Sequence, residues 1–212
     1  MKFEIIQVTY LKQNCTIIWD ENTLDGVVVD PGGKSKKIIQ KIKHYAINIK
    51  YILLTHGHFD HISDAMKISK YFSIPIIGPN IEDKFLFENF SLQSNVISNN
   101  IKNFNFYPNL WLNDNDVITF GTIKFNVLHC PGHTPGHVIF VNHKDKIISI
   151  GDVLFHKSIG RTDLPRGNFI TLINSIRKKI FVLDDDYKFI PGHGKISTLG
   201  IEKKYNPFFK KN

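Results

Sequence analysis

Tyr51-Ile52-Leu53-Leu54-Thr55-His56-Gly57-His58-Phe59-Asp60-His61 carries an apolar run straight into three imidazoles and a carboxylate. The run reads as a buried strand, and the residues after it as the loop at its end. Side chains alternate faces in extended backbone, so His56, His58 and Asp60 can point the same way. A turn after Asp60 brings His61 to them, and neighbouring residues can then serve two different ions. Neutral imidazole and carboxylate are good ligands for zinc and other first-row divalent metals. A lone histidine would read as a polar loop residue bonded to backbone. Four potential ligands at this spacing read instead as a metal site.

Upstream of this loop, residues 2–8, 14–19 and 26–29 read as strands, β-branched and bounded by Asn, Asp or Gly. The third ends in the turn Asp30-Pro31-Gly32-Gly33, after which Ile38, Ile39, Ile42 and Tyr45 recur at helical spacing over 34–45. Downstream, 62–72 reads as a helix, and 73–78 as a short strand that Pro75 places at an edge or a strand start. Residues 79–112 carry the weakest pattern: Phe85, Phe87 and Phe90 suit a helix, and 95–108 a loop. Strands follow at 116–120, 123–129, 137–142 and 146–150, then a helix at 168–182 capped by Asn168, and a last strand at 188–190. This order predicts an α/β protein, an αββα sandwich of two mixed β-sheets with outer helices and the ligand loops along one edge. Residues 1–212 read as one domain.

The chain of 212 residues is 42% hydrophobic, enough to bury a sizeable core without staples. Cys15 and Cys130 lie far apart with no CxxC pair, which argues against a disulfide framework and for a reducing, cytoplasmic setting. No apolar run reaches the roughly 18 residues of a membrane span, and the start lacks the pattern of a signal peptide. The net charge is +8, yet the lysines are scattered and accompany abundant Asn and Ile, as an AT-biased coding sequence would write them. Such charge helps at most to steer small anions, and neither a nucleic-acid nor a membrane partner is expected.

Three later positions repeat the pattern of an apolar strand followed by a glycine-flanked ligand. They are His133 in Cys130-Pro131-Gly132-His133-Thr134-Pro135-Gly136-His137, Asp152 in Ser149-Ile150-Gly151-Asp152, and His193 in Pro191-Gly192-His193-Gly194. Glycine and proline beside a ligand permit tight turns that bring backbone close to an ion. His44, His129, His143 and His156 lack ligand spacing and read as surface or core residues. Cys130 reads as a small buried hydrophobe.

The order and context of these four motifs resemble the metallo-β-lactamase superfamily, roughly from Val27 to Gly194. The resemblance implies that His56, His58 and His133 hold a first metal, Asp60, His61 and His193 a second, and that Asp152 bridges them. Asp30 matches the superfamily's first motif and would orient a ligand, although Asp-Pro-Gly is also ordinary turn chemistry. His137 belongs to a recurring superfamily phrase, with a supporting role and simple packing both open. A class B1 β-lactamase would carry Cys where Asp152 stands, which argues against antibiotic hydrolysis.

Within the superfamily, Gly151-Asp152-Val153-Leu154-Phe155 followed by Ser158-Ile159-Gly160-Arg161-Thr162-Asp163 resembles the short glyoxalase II-like hydrolases. Leu164 departs from the aromatic residue common there. That likeness implies hydrolysis of S-acyl glutathione thioesters, typically S-D-lactoylglutathione to D-lactate and glutathione, as in methylglyoxal detoxification. The nucleophile would be a hydroxide shared by two divalent ions, with Asp60 aligning it. Zinc is the expected ion, and iron and manganese also suit the set. Only nineteen residues follow His193, so the carboxy-terminal helical domain that grips glutathione in longer relatives is not expected. Arg161 and Lys157 are the candidates to pair with a glutathione carboxylate, with an Arg161–Asp163 ion pair as the structural alternative. The nearest rival is an iron-dependent persulfide dioxygenase acting on glutathione persulfide, which carries the same Gly-Arg-Thr-Asp phrase. A monomer or a homodimer fits equally.

Overall fold

Two sheets account for the strands. In the computed structural model, which describes residues 1–90 and 106–210, β1 (Lys2–Val8), β2 (Gln13–Trp19) and β3 (Asp25–Val29) form an antiparallel meander. Helix α1 (Ser35–His44) then returns the chain through β4 (Asn48–Leu53), parallel to β3. Short α2 (Phe59–Ile62) and α3 (Ala65–Phe72) follow, and β5 (Ile76–Ile77) joins β4 in parallel at the edge, where Pro75 was expected to place it. Helix α4 (Lys84–Glu88) precedes β6 (Val117–Phe120), β7 (Ile123–His129), β8 (Val138–Asn142) and β9 (Ile147–Gly151). After the hairpin β10 (Leu154–Phe155)–β11 (Ser158–Ile159) come α5 (Phe169–Ser175), β12 (Lys188–Pro191), β13 (Ser197–Thr198) and α6 (Leu199–Tyr205). The second sheet is ordered β13-β12-β9-β8-β7-β6, mixed because β9 and β12 run parallel.

The side-chain period of two sorts the core into layers. In β3, Val27 and Val29 enter the cluster between the sheets with Ile18, Leu53, Phe125 and Phe140. Val28 faces the other way, with Ile17, Ile52, Ile38 and Ile42 of α1 and Ile68 of α3. In β8, Val138 and Phe140 point between the sheets, while Ile139 and Val141 meet Leu172 of α5 and Leu199 of α6. Strands covered on both faces read as continuous apolar runs, which is why Val27-Val28-Val29 and Ile52-Leu53-Leu54 lack alternation. The expected αββα sandwich is the observed one.

Three local differences have structural causes. The helix expected over 62–72 is broken because Asp64 turns its carboxylate to accept from Ser35 N–H (2.8 Å), capping α1. The helix expected over 168–182 begins as predicted, with the Asn168 side chain accepting from Thr171 N–H (2.9 Å). It widens over Ile176–Ile180, where Phe181 N–H bonds back five residues to Ile176. The phenylalanine segment forms α4 after a tight turn at Ile81–Asp83, and it buries Phe87 and Phe90. Most of the loop expected at 95–108 lies outside the described residues. The elements β10, β11, β13 and α6 carried no pattern long enough to read.

Candidate metal centre

The loop after β4 bends as the histidine spacing required. His56 and Gly57 leave the strand, His58 stands extended, and α2 starts at Phe59, which turns Asp60 and His61 back towards His56. The rings of His56 and His61 lie 4.1 Å apart, centre to centre. His133 comes from the β7–β8 loop, Asp152 from the end of β9, and His193 from the end of β12. Ligand atoms of His56, His58 and His133 lie within 4.8 Å of one another, as do those of Asp60, His61 and His193. Asp152 stands between the two groups. One oxygen lies 3.5 Å from His61 Nε2, and the other 3.6 Å from both His133 Nε2 and His193 Nε2. Gly192 makes this approach possible, since a Cβ there would sit 2.0 Å from an Asp152 oxygen.

Hydrogen bonds fix which nitrogen each ring presents. His133 donates Nδ1–H to the Arg161 carbonyl (2.8 Å), and His193 donates Nδ1–H to the Leu11 carbonyl (3.1 Å). His61 donates Nδ1–H to Asp30 Oδ2 (2.9 Å). The same oxygen accepts from the Thr55 hydroxyl (2.6 Å), which lies 3.0 Å from His56 Nδ1. Asp30 Oδ1 accepts from Thr55 N–H (2.7 Å). One carboxylate thus orients a ring of each group, His61 directly and His56 through Thr55. Ligand atoms of Asp30, His56 and His61 also lie within 4.8 Å of one another. His137 lies under His56, the ring centres 4.7 Å apart and nearly parallel, and its Nε2 accepts from Asp152 N–H (3.0 Å).

The donor set fits divalent ions. Nε2 of His56, Nε2 of His61 and Oδ1 of Asp152 are buried without a hydrogen-bond partner. His58 Nδ1 and His133 Nε2 face each other at 3.0 Å. Unpaired buried polar atoms are costly, and a cation at their focus, taking the place of the His61 proton, removes that cost. The electrostatics divide likewise. Burial holds His56, His58 and His133 below the usual imidazole range, so they are neutral donors of lone pairs at pH 7. Burial also opposes charge on His61, but Asp152, Asp60 and Asp30 outweigh it and raise the ring to about 9. Against burial, His61 and His193 bring Asp60 down to about 2. The second group therefore gathers carboxylates where positive charge is wanted.

Both expected substrate contacts are exposed. Arg161 is exposed and its guanidinium forks onto Asp163 (2.8 and 2.6 Å), the structural alternative named for it. Its charge still reaches His58, whose protonation it disfavours. Lys157 is exposed at the β10–β11 turn and donates its backbone N–H to Glu202 (2.7 Å). His156, read as uninvolved, pairs with the same Glu202 (3.1 Å), and Cys130 is buried in the core.

Several supporting residues were not anticipated. Asn14 donates to the carbonyls of Pro191 and Gly194 (3.0 and 2.8 Å), bracing the His193 loop. Thr55 has the bridging role already described. Asp83, from the turn before α4, is fully buried against the backbone on either side of the first group. Burial raises its carboxyl to about 7, opposed by hydrogen bonds from Thr134, Gly136 and Gly57. None of these carries a motif; each acts through partners distant in sequence that a linear reading does not pair.

An αββα sandwich that brings seven histidine and aspartate ligand candidates together on one edge is the architecture of a metal-dependent enzyme. The metallo-beta-lactamase superfamily profile matches residues 8–193, and the chain belongs to that superfamily. It is 45% identical over 210 residues to the Haemophilus influenzae hydroxyacylglutathione hydrolase GloC, covering 98% of each chain. Among solved structures it resembles the B3 metallo-beta-lactamase BLEG-1, at TM-score 0.91 and 33% identity over 99% of this chain and 100% of that one. It also resembles TTHA1623, solved in a di-iron-bound form, at TM-score 0.87 and 30% identity over 97% and 99%. The likeness to short glyoxalase II-type hydrolases read from the sequence stands, and the chain is an enzyme of the metallo-hydrolase superfamily. Among the described residues no helix is long and apolar enough to cross a membrane.

Proposed function

We propose that the protein hydrolyses S-acyl glutathione thioesters, S-D-lactoylglutathione among them, with two divalent ions. The observation that carries the reaction type is the placement of Asp152 between two complete ligand groups. Full-length likeness to GloC supports the substrate class. Two bound ions would supply water activated near neutral pH and polarise the thioester carbonyl.

The chain's own residues do the rest. His56, His58 and His133 hold the first ion, and Asp60, His61 and His193 the second, with Asp152 shared. Asp60 is ionised at neutral pH and would be able to accept a hydrogen bond from the attacking water and align it. Asp30 and Thr55 keep the His61 and His56 rings in register. Arg161 exchanges Asp163 for a glutathione carboxylate at the rim, a trade its exposed fork geometry permits. Lys157 adds positive charge to that rim. Zinc is the proposed ion, and TTHA1623 supports iron in a site of this kind.

The test is turnover of S-D-lactoylglutathione by the purified protein, followed as loss of thioester absorbance and release of free thiol. Two further arms use the same preparation: oxygen uptake with glutathione persulfide, and hydrolysis of a β-lactam. The β-lactam arm is needed because Asp152 argues against class B1 enzymes only, and BLEG-1 is a B3 enzyme. Oxygen consumption or β-lactam turnover without thioester cleavage would replace this reading.

A further inference from the structure

We infer that Asp83 is a positioning residue for the first metal, holding the two loops that carry His56, His58 and His133 at a fixed separation. The inference rests on the two-ion reading above. Asp83 Oδ2 accepts from Gly57 N–H, between His56 and His58, and from the Thr134 hydroxyl, next to His133 (both 2.9 Å). Its Oδ1 accepts from Gly136 N–H (2.6 Å), three residues beyond His133. The first loop leaves a strand of one sheet and the second connects strands of the other. The ligands of one ion thus come from both halves of the sandwich, and a single carboxylate spans the seam.

The surroundings make the tie stiff. Asp83 has no solvent exposure. Asn80 N–H donates to the Gly136 carbonyl (3.0 Å), and a Cβ on Gly136 would meet Asp83 N at 2.5 Å and Asn80 O at 2.6 Å. The turn before α4 is therefore pressed backbone to backbone against the His133 loop. No comparable bond from Asp83 reaches the second group, whose His61 is anchored on Asp30 and whose His193 loop is anchored on Asn14. Asp30 serves a ring of each group, whereas Asp83 braces the loops of the first group alone, so its contribution can be cut separately.

Asp83→Asn is the informative cut. An amide has one acceptor oxygen, so whichever way it turns, an NH2 faces either Gly136 N–H or Gly57 N–H. Either way, one backbone N–H of a metal-bearing loop loses its acceptor while shape and volume are kept. Zinc binding is measured by chelator competition on wild type, Asp83→Asn, His193→Ala and the double variant, with circular dichroism as the check on folding. Wild type takes up two ions. Asp83→Asn should bind one of them about 10–100-fold more weakly, the size of effect seen when a ligand's supporting bond is removed. His193→Ala should weaken the other ion, and the double variant should hold neither tightly. If Asp83→Asn does not fold, Thr134→Val removes one of the three donors and should weaken the first ion about fivefold. Unchanged affinities in a folded Asp83→Asn, equal weakening of both ions, or an unaffected Thr134→Val where that variant decides, would overturn the inference. Fewer than two ions on wild type would overturn the two-ion reading itself, a separate result visible before any variant is compared.

Discussion

Thr55→Val keeps the outline of a fully buried side chain and deletes one hydroxyl. That hydroxyl donates to Asp30 at 2.6 Å and sits 3.0 Å from His56 Nδ1, so without it the His56 ring loses its link to the carboxylate. The backbone N–H of residue 55 still reaches Asp30, and so does His61, at 2.7 and 2.9 Å. The damage is thus confined to the first group. Breaking a hydrogen bond to a carboxylate and stranding a buried imidazole N–H costs about 1.5–3 kcal/mol. For a chain of this size that lowers the melting temperature of the metal-free protein by roughly 3–12 °C, at about 2–4 °C per kcal/mol. Binding of the first ion should weaken by about 10–100-fold, as when an orienting partner is lost. The second ion should change by less than about threefold, within the scatter expected of a supporting bond left in place. Chelator competition and thermal unfolding read the two effects separately. A folded Thr55→Val protein with unaltered affinity for both ions would refute the chain of bonds from Asp30 to His56.

Other outcomes follow from the same geometry. Asp152→Ala should lose turnover by at least about a thousandfold and lower metal content, because both groups share that carboxylate; wild-type turnover would remove the bridging role. Arg161→Ala should raise KM for glutathione thioesters a few-fold to about tenfold with kcat retained, the modest size befitting an exposed charge. An unchanged KM would leave Arg161 with its Asp163 pair alone. Metal uptake by the second group should depend on pH. His61 is raised to about 9, so below that pH an incoming ion must displace its proton, and the upward shift of His193 acts in the same direction. Affinity at that group should climb about tenfold per pH unit from 7 towards 9 and level off above, by one-proton competition. His56, His58 and His133 are already neutral at pH 7, and their ion should show no such slope. Isothermal titration at four pH values would show whether the two ions differ in this way.

What could be read from the chain beforehand was whatever is local. His56, His58, Asp60 and His61 are neighbours in sequence, so their convergence follows from a strand end and one turn. The β-branched runs marked the strands, and the order of strands, helices and ligand loops along the chain implied stacked sheets. His133, Asp152 and His193 were legible through glycine-flanked strand ends. Asp83 was not, because its meaning lies in three donors from residues 57, 134 and 136 that come together only when the sheets stack. Thr55 sits in the ligand loop with no pattern to mark it, since a hydroxyl's partner depends on where Asp30 arrives. The break between α2 and α3 was hidden for a similar reason. Asp64 caps a helix some thirty residues upstream, and helical spacing says nothing of such a use.

The measurement that bears most directly on the whole account is the number of divalent ions held per chain by the purified wild-type protein. Elemental analysis after exchange against a weak chelator should return two, falling when Asp152 is replaced by Ala. A wild-type protein that is folded and holds none, even when offered zinc or iron, would contradict it.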